Sequence, residues 1–189
     1  MADISVFCGS SSGTDPIHRT TATELGAELA AAGHRLVYGG GHVGLMGAVA
    51  DATMAAGGAV VGVITEQLRD LELAHGAITE LEITADMHSR KARMAELSDG
   101  VIVLPGGFGT LDEAFEILTW NQLGIVSAPV VFLDVDGFWS ALFDFVDGVV
   151  HAGFVRPEHG ELLRRATTAA QAVAIAGAPA APFAPKWVG

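Results

Sequence analysis

A single cysteine stands among the 189 residues, so no internal disulfide can form, and its place at the end of an apolar run makes Cys8 a packed thiol rather than a nucleophile. Basic residues are scarce too. Ten Lys and Arg face 22 Asp and Glu, a formal charge of -12, the wrong sign for a protein that grips nucleic acid phosphates. Half of the residues are hydrophobic and mean hydropathy is +0.43, yet no unbroken apolar run approaches the roughly 20 residues that span a membrane. The first residues pass from Asp3 straight into an apolar run, without the basic leader and long apolar stretch of a signal peptide, so a cytoplasmic protein with no membrane partner is expected. The seven histidines include no pair at helical i, i+4 spacing, and no cysteine accompanies them, so no metal site is expected. Neither a G-x-x-x-x-G-K-[ST] loop nor a G-x-S-x-G elbow occurs, which argues against triphosphate hydrolysis through a P-loop and against a serine hydrolase.

What is present is a rhythm. Short apolar or β-branched runs at residues 4–8, 35–38, 59–64, 81–84, 101–104 and 129–133 alternate with longer, alanine-rich helical patterns. Asp15 with Pro16 caps and starts a helix ending near Gly33, Gly57-Gly58 closes the second helix, and Asp86 caps a helix carrying residues 88–97. Strands of near-continuous Val, Ile and Leu belong to a parallel sheet covered on both faces. The expected fold is therefore α/β: a three-layer, doubly wound parallel sheet of Rossmann-like type in one domain over residues 1–176. An Ala/Pro-rich tail, 177–189, follows, with Phe183 and Trp187 as candidates to dock it. Past Phe138 the pattern gives a helix to His151, a polar segment 156–159 and one further stretch, 162–176.

In such folds ligands sit outside the carboxyl ends of the strands. Three glycine-rich loops fall there: Gly9-Ser10-Ser11-Ser12-Gly13, the 39–47 loop, and Pro105-Gly106-Gly107-Phe108-Gly109-Thr110 running on into Leu111-Asp112-Glu113. Glycines at a strand-to-helix turn let backbone N–H groups crowd an anion, and the helix N-terminus adds partial positive charge. Glu113 follows in the first helical turn, so an anion cradle stands beside a carboxylate. The same residues also fit a capping box, with Thr110 and Glu113 merely satisfying backbone donors. Gly39-Gly40-Gly41-His42-Val43-Gly44 has the G-x-G-x-x-G spacing of a dinucleotide site, with Glu66 beyond the next strand, but follows the second strand rather than the first; a tight turn for close packing serves as well. Arg90, Lys91 and Arg93 concentrate positive charge in an otherwise acidic chain, enough for a small anion or for a solvated helix face. Met87 and Met94 read as core packing.

Together, Phe7-Cys8-Gly9-Ser10-Ser11, Gly39 to Gly47, Asp86-Met87-His88-Ser89-Arg90-Lys91, the P-G-G-F-G-T-L-D-E segment ending at Glu113, and Thr119-Trp120-Asn121-Gln122-Leu123-Gly124 resemble, in order and spacing, the Lonely Guy family over roughly residues 3–170. Its members are often labelled lysine decarboxylases, but the only lysines here, Lys91 and Lys186, lie in no context that would bind pyridoxal. The resemblance implies hydrolysis of the N-glycosidic bond of cytokinin riboside 5′-monophosphates, N6-substituted AMP, to free base and ribose 5-phosphate, with no cofactor. It implies Arg90 and Glu113 as the catalytic pair. Gly106, Gly107, Gly109 and Thr110 would hold the phosphate. Gly9, Ser10, Gly40, Gly41, Glu72, Met87, Lys91, Phe108 and Asp112 complete the implied substrate contacts, and a homodimer or higher homo-oligomer is implied as well. His42 stands where serine is usual, Phe108 for tyrosine and Asp112 for glutamate, which leaves substrate preference open. The alternatives are a general AMP nucleosidase and a non-catalytic nucleotide or molybdenum-cofactor carrier on the same fold, which would need only the glycines.

Overall fold

Among the described residues seven short strands form one sheet, every neighbouring pair parallel, in the order β4-β3-β2-β1-β5-β6-β7. The computed structural model describes residues 1–71 and 73–180. Along the chain these are β1 (Asp3–Phe7), α1 (Pro16–Ala31), β2 (Arg35–Tyr38), α2 (Gly44–Ala55), β3 (Val60–Thr65), α3 (Glu66–Asp70), β4 (Glu80–Thr84) and α4 (Met87–Leu97). There follow β5 (Gly100–Val103), α5 (Phe108–Leu123), β6 (Val130–Leu133), α6 (Ser140–His151), α7 (Pro157–Gly160), β7 (Leu163–Ala166) and α8 (Ala169–Ala176). The chain winds outward from β1 to β4 on one side, then returns to the centre and winds outward through β5, β6 and β7 on the other. The reversal leaves a crevice beyond the carboxyl ends of β1 and β5, where a doubly wound sheet binds its ligands.

Alternation along the strands builds two cores. Ile4, Val6, Ile102 and Leu104 face one layer, against Leu25 and Leu29 of α1, Leu45 and Val49 of α2 and Val173 of α8. Phe7, Val101 and Val103 face the other, against Met94 of α4, Ala114 and Ile117 of α5 and Trp139. A fully buried side chain such as Leu25 stabilises the fold by about 1.5–3 kcal/mol relative to its exposed state. Asp15 starts α1 by accepting a hydrogen bond from Ile17 N at 2.9 Å, with Pro16 in the first turn.

Helices α1 and α2 meet through Gly26, where an added Cβ would lie 2.5 Å from the Val49 carbonyl oxygen and 2.8 Å from Ala52 Cβ. Gly26→Ala is therefore expected to destabilise the fold by about 1–3 kcal/mol through overpacking. Thermal denaturation reads this as a fall of about 2–4 °C per kcal/mol for a chain of this size.

One strand departs from the sequence expectation. The stretch read as 162–176 divides into edge strand β7 and helix α8. Leu-Arg-Arg-Ala carries too little apolar signal to be recognised alone, yet at a sheet edge one of its arginines finds partners: Arg165 pairs with the buried Asp134 carboxylate and lies 5.3 Å from the centre of the Phe143 ring. Phe183 and Trp187 lie outside the described residues. Among the described residues no helix is long and apolar enough to cross a membrane.

Candidate active site

The loops after β1, β2 and β5 are stitched together by their own backbones. Gly9 N donates to Pro105 O at 3.0 Å and Leu45 N to Gly9 O at 3.1 Å. Close approach is the reason for glycine at Gly9, since a Cβ there would lie 2.9 Å from the Ser11 carbonyl oxygen. Beyond these loops opens a cavity of about 380 Å³.

Its floor is an ion pair taken almost wholly out of water. Asp86 caps α4 by accepting from Ser89 N at 2.8 Å, and this start aims Arg90 inward, where the residue is 6% exposed. Its guanidinium donates through Nε to the Val63 carbonyl at 2.9 Å and through Nη1 to Glu113 Oε1 at 2.8 Å. The remaining nitrogen, Nη2, lies over Gly39, in space that any Cβ would fill. Desolvating both charges costs several kcal/mol per ion, so the pair is a poor stabilising device and is better explained by use. Burial pushes the Glu113 carboxyl above the ordinary carboxylate range, even though Arg90 pulls it down. Cys8, also on the cavity wall, has its thiol pushed far up by burial and by the Glu113 charge, so it stays protonated. It is not a nucleophile.

Helix α5 presents its N-terminus to the same space. Gly107 occupies the N-cap without any side-chain cap hydrogen bond. The amides of Phe108, Gly109 and Thr110 begin the helix and have no intrahelical acceptor by the geometry of an α-helix. Such an end attracts an anion. The capping-box reading fails here: Thr110 is buried inside the helix, and Glu113, in the second turn rather than the first, spends its carboxylate on Arg90.

Gly9, Ser10, Gly41, Met87 and Arg90 line the cavity, facing Gly107, Phe108, Gly109, Thr110 and Glu113. Met87, a core residue by helical position and a substrate contact by the resemblance, is 46% exposed and lines the cavity, whereas Met94 is buried. Gly40, with φ +74°, turns the chain against Ile64 and Leu81 and away from the cavity. Gly106 backs the side chain of Thr110 and lines an adjoining recess with Ser11, Thr14 and His18. Lys91 reaches Asp112 at 2.9 Å and Glu116 at 3.1 Å, tying α4 to α5 outside the cavity lining. Glu72 lies outside the described residues. The cavity also holds Ile64, Leu68 and Leu73, which no motif contains, and Met46, which lies within the 39–47 motif without having been assigned a contact. An apolar wall contributed one residue at a time by three elements and a loop carries no local signature. Among the described residues, no group of three or more His, Cys, Asp or Glu side chains is placed to hold a metal ion.

A family profile described as "Possible lysine decarboxylase" matches residues 46–175. The cytokinin riboside 5′-monophosphate phosphoribohydrolase LOG3 of Arabidopsis thaliana is 46% identical over 170 residues, which is 90% of this chain and 79% of that protein. The cytokinin riboside 5′-monophosphate phosphoribohydrolase LOG1 of the same plant is 44% identical over 170 residues, 90% of this chain and 80% of its own length. Among solved structures, the molybdenum cofactor carrier protein of Chlamydomonas reinhardtii matches with a TM-score of 0.70 at 22% identity, covering 92% of this chain and 94% of the other. DNA processing protein A of Streptococcus pneumoniae matches at a TM-score of 0.56 and 15% identity, over 92% of this chain and 61% of its own. At such identities the likeness is one of fold.

Proposed function

The chain belongs to the family of cytokinin riboside 5′-monophosphate phosphoribohydrolases, and from that premise we propose that it hydrolyses the N-glycosidic bond of N6-substituted adenosine 5′-monophosphates, releasing the free base and ribose 5-phosphate. The observation that carries this reading is the buried pair of Arg90 and Glu113, 2.8 Å apart, beside the open N-terminus of α5. A carrier would need the glycines but not a desolvated ion pair.

The chemistry follows from the charges. Cleavage of a ribosyl C–N bond builds positive charge on the sugar and negative charge on the leaving base. The phosphate sits on the amides of Phe108, Gly109 and Thr110, which fixes the ribose above Glu113. The Glu113 carboxylate stabilises the oxocarbenium-like sugar and activates the attacking water, and burial strengthens it as a base. Arg90 is a fixed cation and a poor proton donor, so its part is to orient Glu113 and to offset the charge of the departing base. Lys91 acts at one remove, holding Asp112 and with it the start of α5.

Incubation with N6-isopentenyladenosine 5′-monophosphate and with AMP, followed by chromatography, tests the reading. Free base and ribose 5-phosphate in equal amounts are expected. Tight binding of either nucleotide without release of base would favour a carrier.

The working form is read as a cytoplasmic homodimer. Phe145 on α6 is 65% exposed and Phe115 on α5 is 38% exposed, and both border a groove of about 180 Å³ between these helices. Exposed aromatic side chains gathered at one face suit a helix-to-helix contact between copies. Sedimentation at assay concentration should give twice the chain mass, and monomer alone would contradict this.

A further inference from the structure

The cavity has two chemically different ends, and its course can be followed through the glycines that border it. Gly9 lies against Gly106 and Pro105 beside the N-terminus of α5. Gly39 lies against both the Arg90 guanidinium and the sulfur of Met46, 3.1 Å from where its Cβ would stand. Gly41 in turn lies against the methyl of Met46 and, at 3.6 Å, the Leu73 carbonyl. The path therefore runs from the anion-binding end, past Arg90 and Glu113, to Met46 and Leu73, where Ile64 and Leu68 complete an apolar wall. A nucleotide with its phosphate on α5 and its anomeric carbon at Glu113 carries its base into that apolar end.

Leu73 reaches the cavity from a strap, residues 73–77, which has no regular structure of its own beyond a bridge of Ala74 to Gly41. The strap is held by polar fastenings. His42 donates to the Leu73 carbonyl from both its backbone N and its ring Nδ1, each at 3.0 Å. His75 N donates to the Gly40 carbonyl at 2.8 Å. The buried His75 ring then pins the strap to α2: Nδ1 accepts from Ala77 N at 3.3 Å, which leaves the ring proton on Nε2 to donate to Asp51 Oδ1 at 3.0 Å. None of these groups touches the reacting end. The cavity lining includes Leu73 but neither His42, His75 nor Asp51.

We propose that the strap is the specificity element of this site, holding Leu73 against an apolar N6 substituent of the base, and that His75 is the positioning residue that keeps it there. The inference rests on the hydrolase reading above and names what selects among its substrates. A single methylene in an apolar pocket discriminates by about 10-fold to 200-fold. Displacing a leucine from contact with a five-carbon substituent belongs at the lower end of that range or above.

The test compares kcat and KM on N6-isopentenyladenosine 5′-monophosphate and on AMP for the wild type and for His75→Ala, His75→Gln and Leu73→Ala. For His75→Ala the ratio of kcat/KM values, substituted over plain, falls about tenfold or more, mainly through a higher KM for the substituted nucleotide. His75→Gln, whose amide still donates to Asp51, recovers part of the ratio. Leu73→Ala lowers the ratio as far without disturbing the fastening, and so keeps the test open if His75→Ala folds poorly. An unchanged ratio in Leu73→Ala, or equal losses on both nucleotides in His75→Ala with no recovery in His75→Gln, overturns the strap while leaving the hydrolase reading intact. A wild-type protein that releases base from neither nucleotide overturns both.

Discussion

Glu113→Gln lowers kcat on a nucleoside 5′-monophosphate by about 100-fold to 10,000-fold, the range expected for loss of a general base. The substitution is close to isosteric, and the amide oxygen can still accept from Arg90 Nη1, which lies 2.8 Å from Glu113 Oε1. The fold is therefore retained while the charge facing the sugar is lost, and thermal denaturation beside the rate measurement separates the two. Retained activity would reduce Glu113 to a structural partner of Arg90. The same carboxylate sets a pH dependence. Burial holds its proton affinity above the ordinary range, against the pull of Arg90, and only the ionised form serves. Activity rises with pH through that raised value and is flat above it, with the acid limb centred above the roughly 4.3 of an unperturbed glutamate. Stability runs the other way. A carboxyl with a raised folded-state pKa contributes stability that is present below its unfolded value and lost as pH rises through the folded one. The protein thus gives up stability from this group in the range where it works.

Arg90→Ala is expected to lose about 100-fold to 1,000-fold in kcat, comparable to removal of one preorganised donor from an electrostatic site. It also removes the guanidinium that bridges the Val63 carbonyl and Glu113, and leaves a desolvated carboxylate without its partner. Breaking a buried pair on one side costs about 3–5 kcal/mol when the remaining charge persists. Here Glu113 can escape part of that cost by taking up a proton, which moves the acid limb of the pH profile to still higher pH. Arg90→Lys keeps the charge but cannot reproduce a planar fork reaching two acceptors, so it should fall nearer to the alanine variant than to the wild type. Rates from pH 4 to pH 9 for both variants check this, and an unmoved acid limb in Arg90→Ala would separate Arg90 from the ionisation of Glu113.

The fold was legible where burial on both faces left an unbroken apolar run and, at the β4 edge, where Leu81 and Ile83 alternate with Glu82. β2 occupies the residues its pattern gives, β4 and β6 differ by one residue at their first end, and β1, β3 and β5 are displaced by one residue along the chain. β7 was missed because half of it is arginine, and its register beside β6 is set by tertiary partners, Asp134 and Phe143, that no local pattern announces. At the site, the glycine loops and the Arg90 and Glu113 motifs could be read because each is a short string with its own backbone logic. The choice between a helix cap and a buried ion pair for Glu113 could not, since it depends on α4 and α5 meeting across the sheet end. Met87 shows the same limit: helical position alone does not say whether a methionine faces a core or a cavity, and this one lines the cavity. The strap over the apolar end was invisible in sequence, because His75 acquires its role only through Asp51, 24 residues away in the chain.

The central claim is that a glycine-lined helix end holds a sugar phosphate so that one buried carboxylate confronts its anomeric carbon. A crystal structure of the Glu113→Gln variant soaked with N6-isopentenyladenosine 5′-monophosphate tests it most directly. The account predicts the phosphate on the amides of Phe108, Gly109 and Thr110, the ribose C1′ facing position 113, and the isopentenyl group against Leu73. A phosphate bound in another loop, with the side chain at position 113 directed away from the ribose, would contradict it.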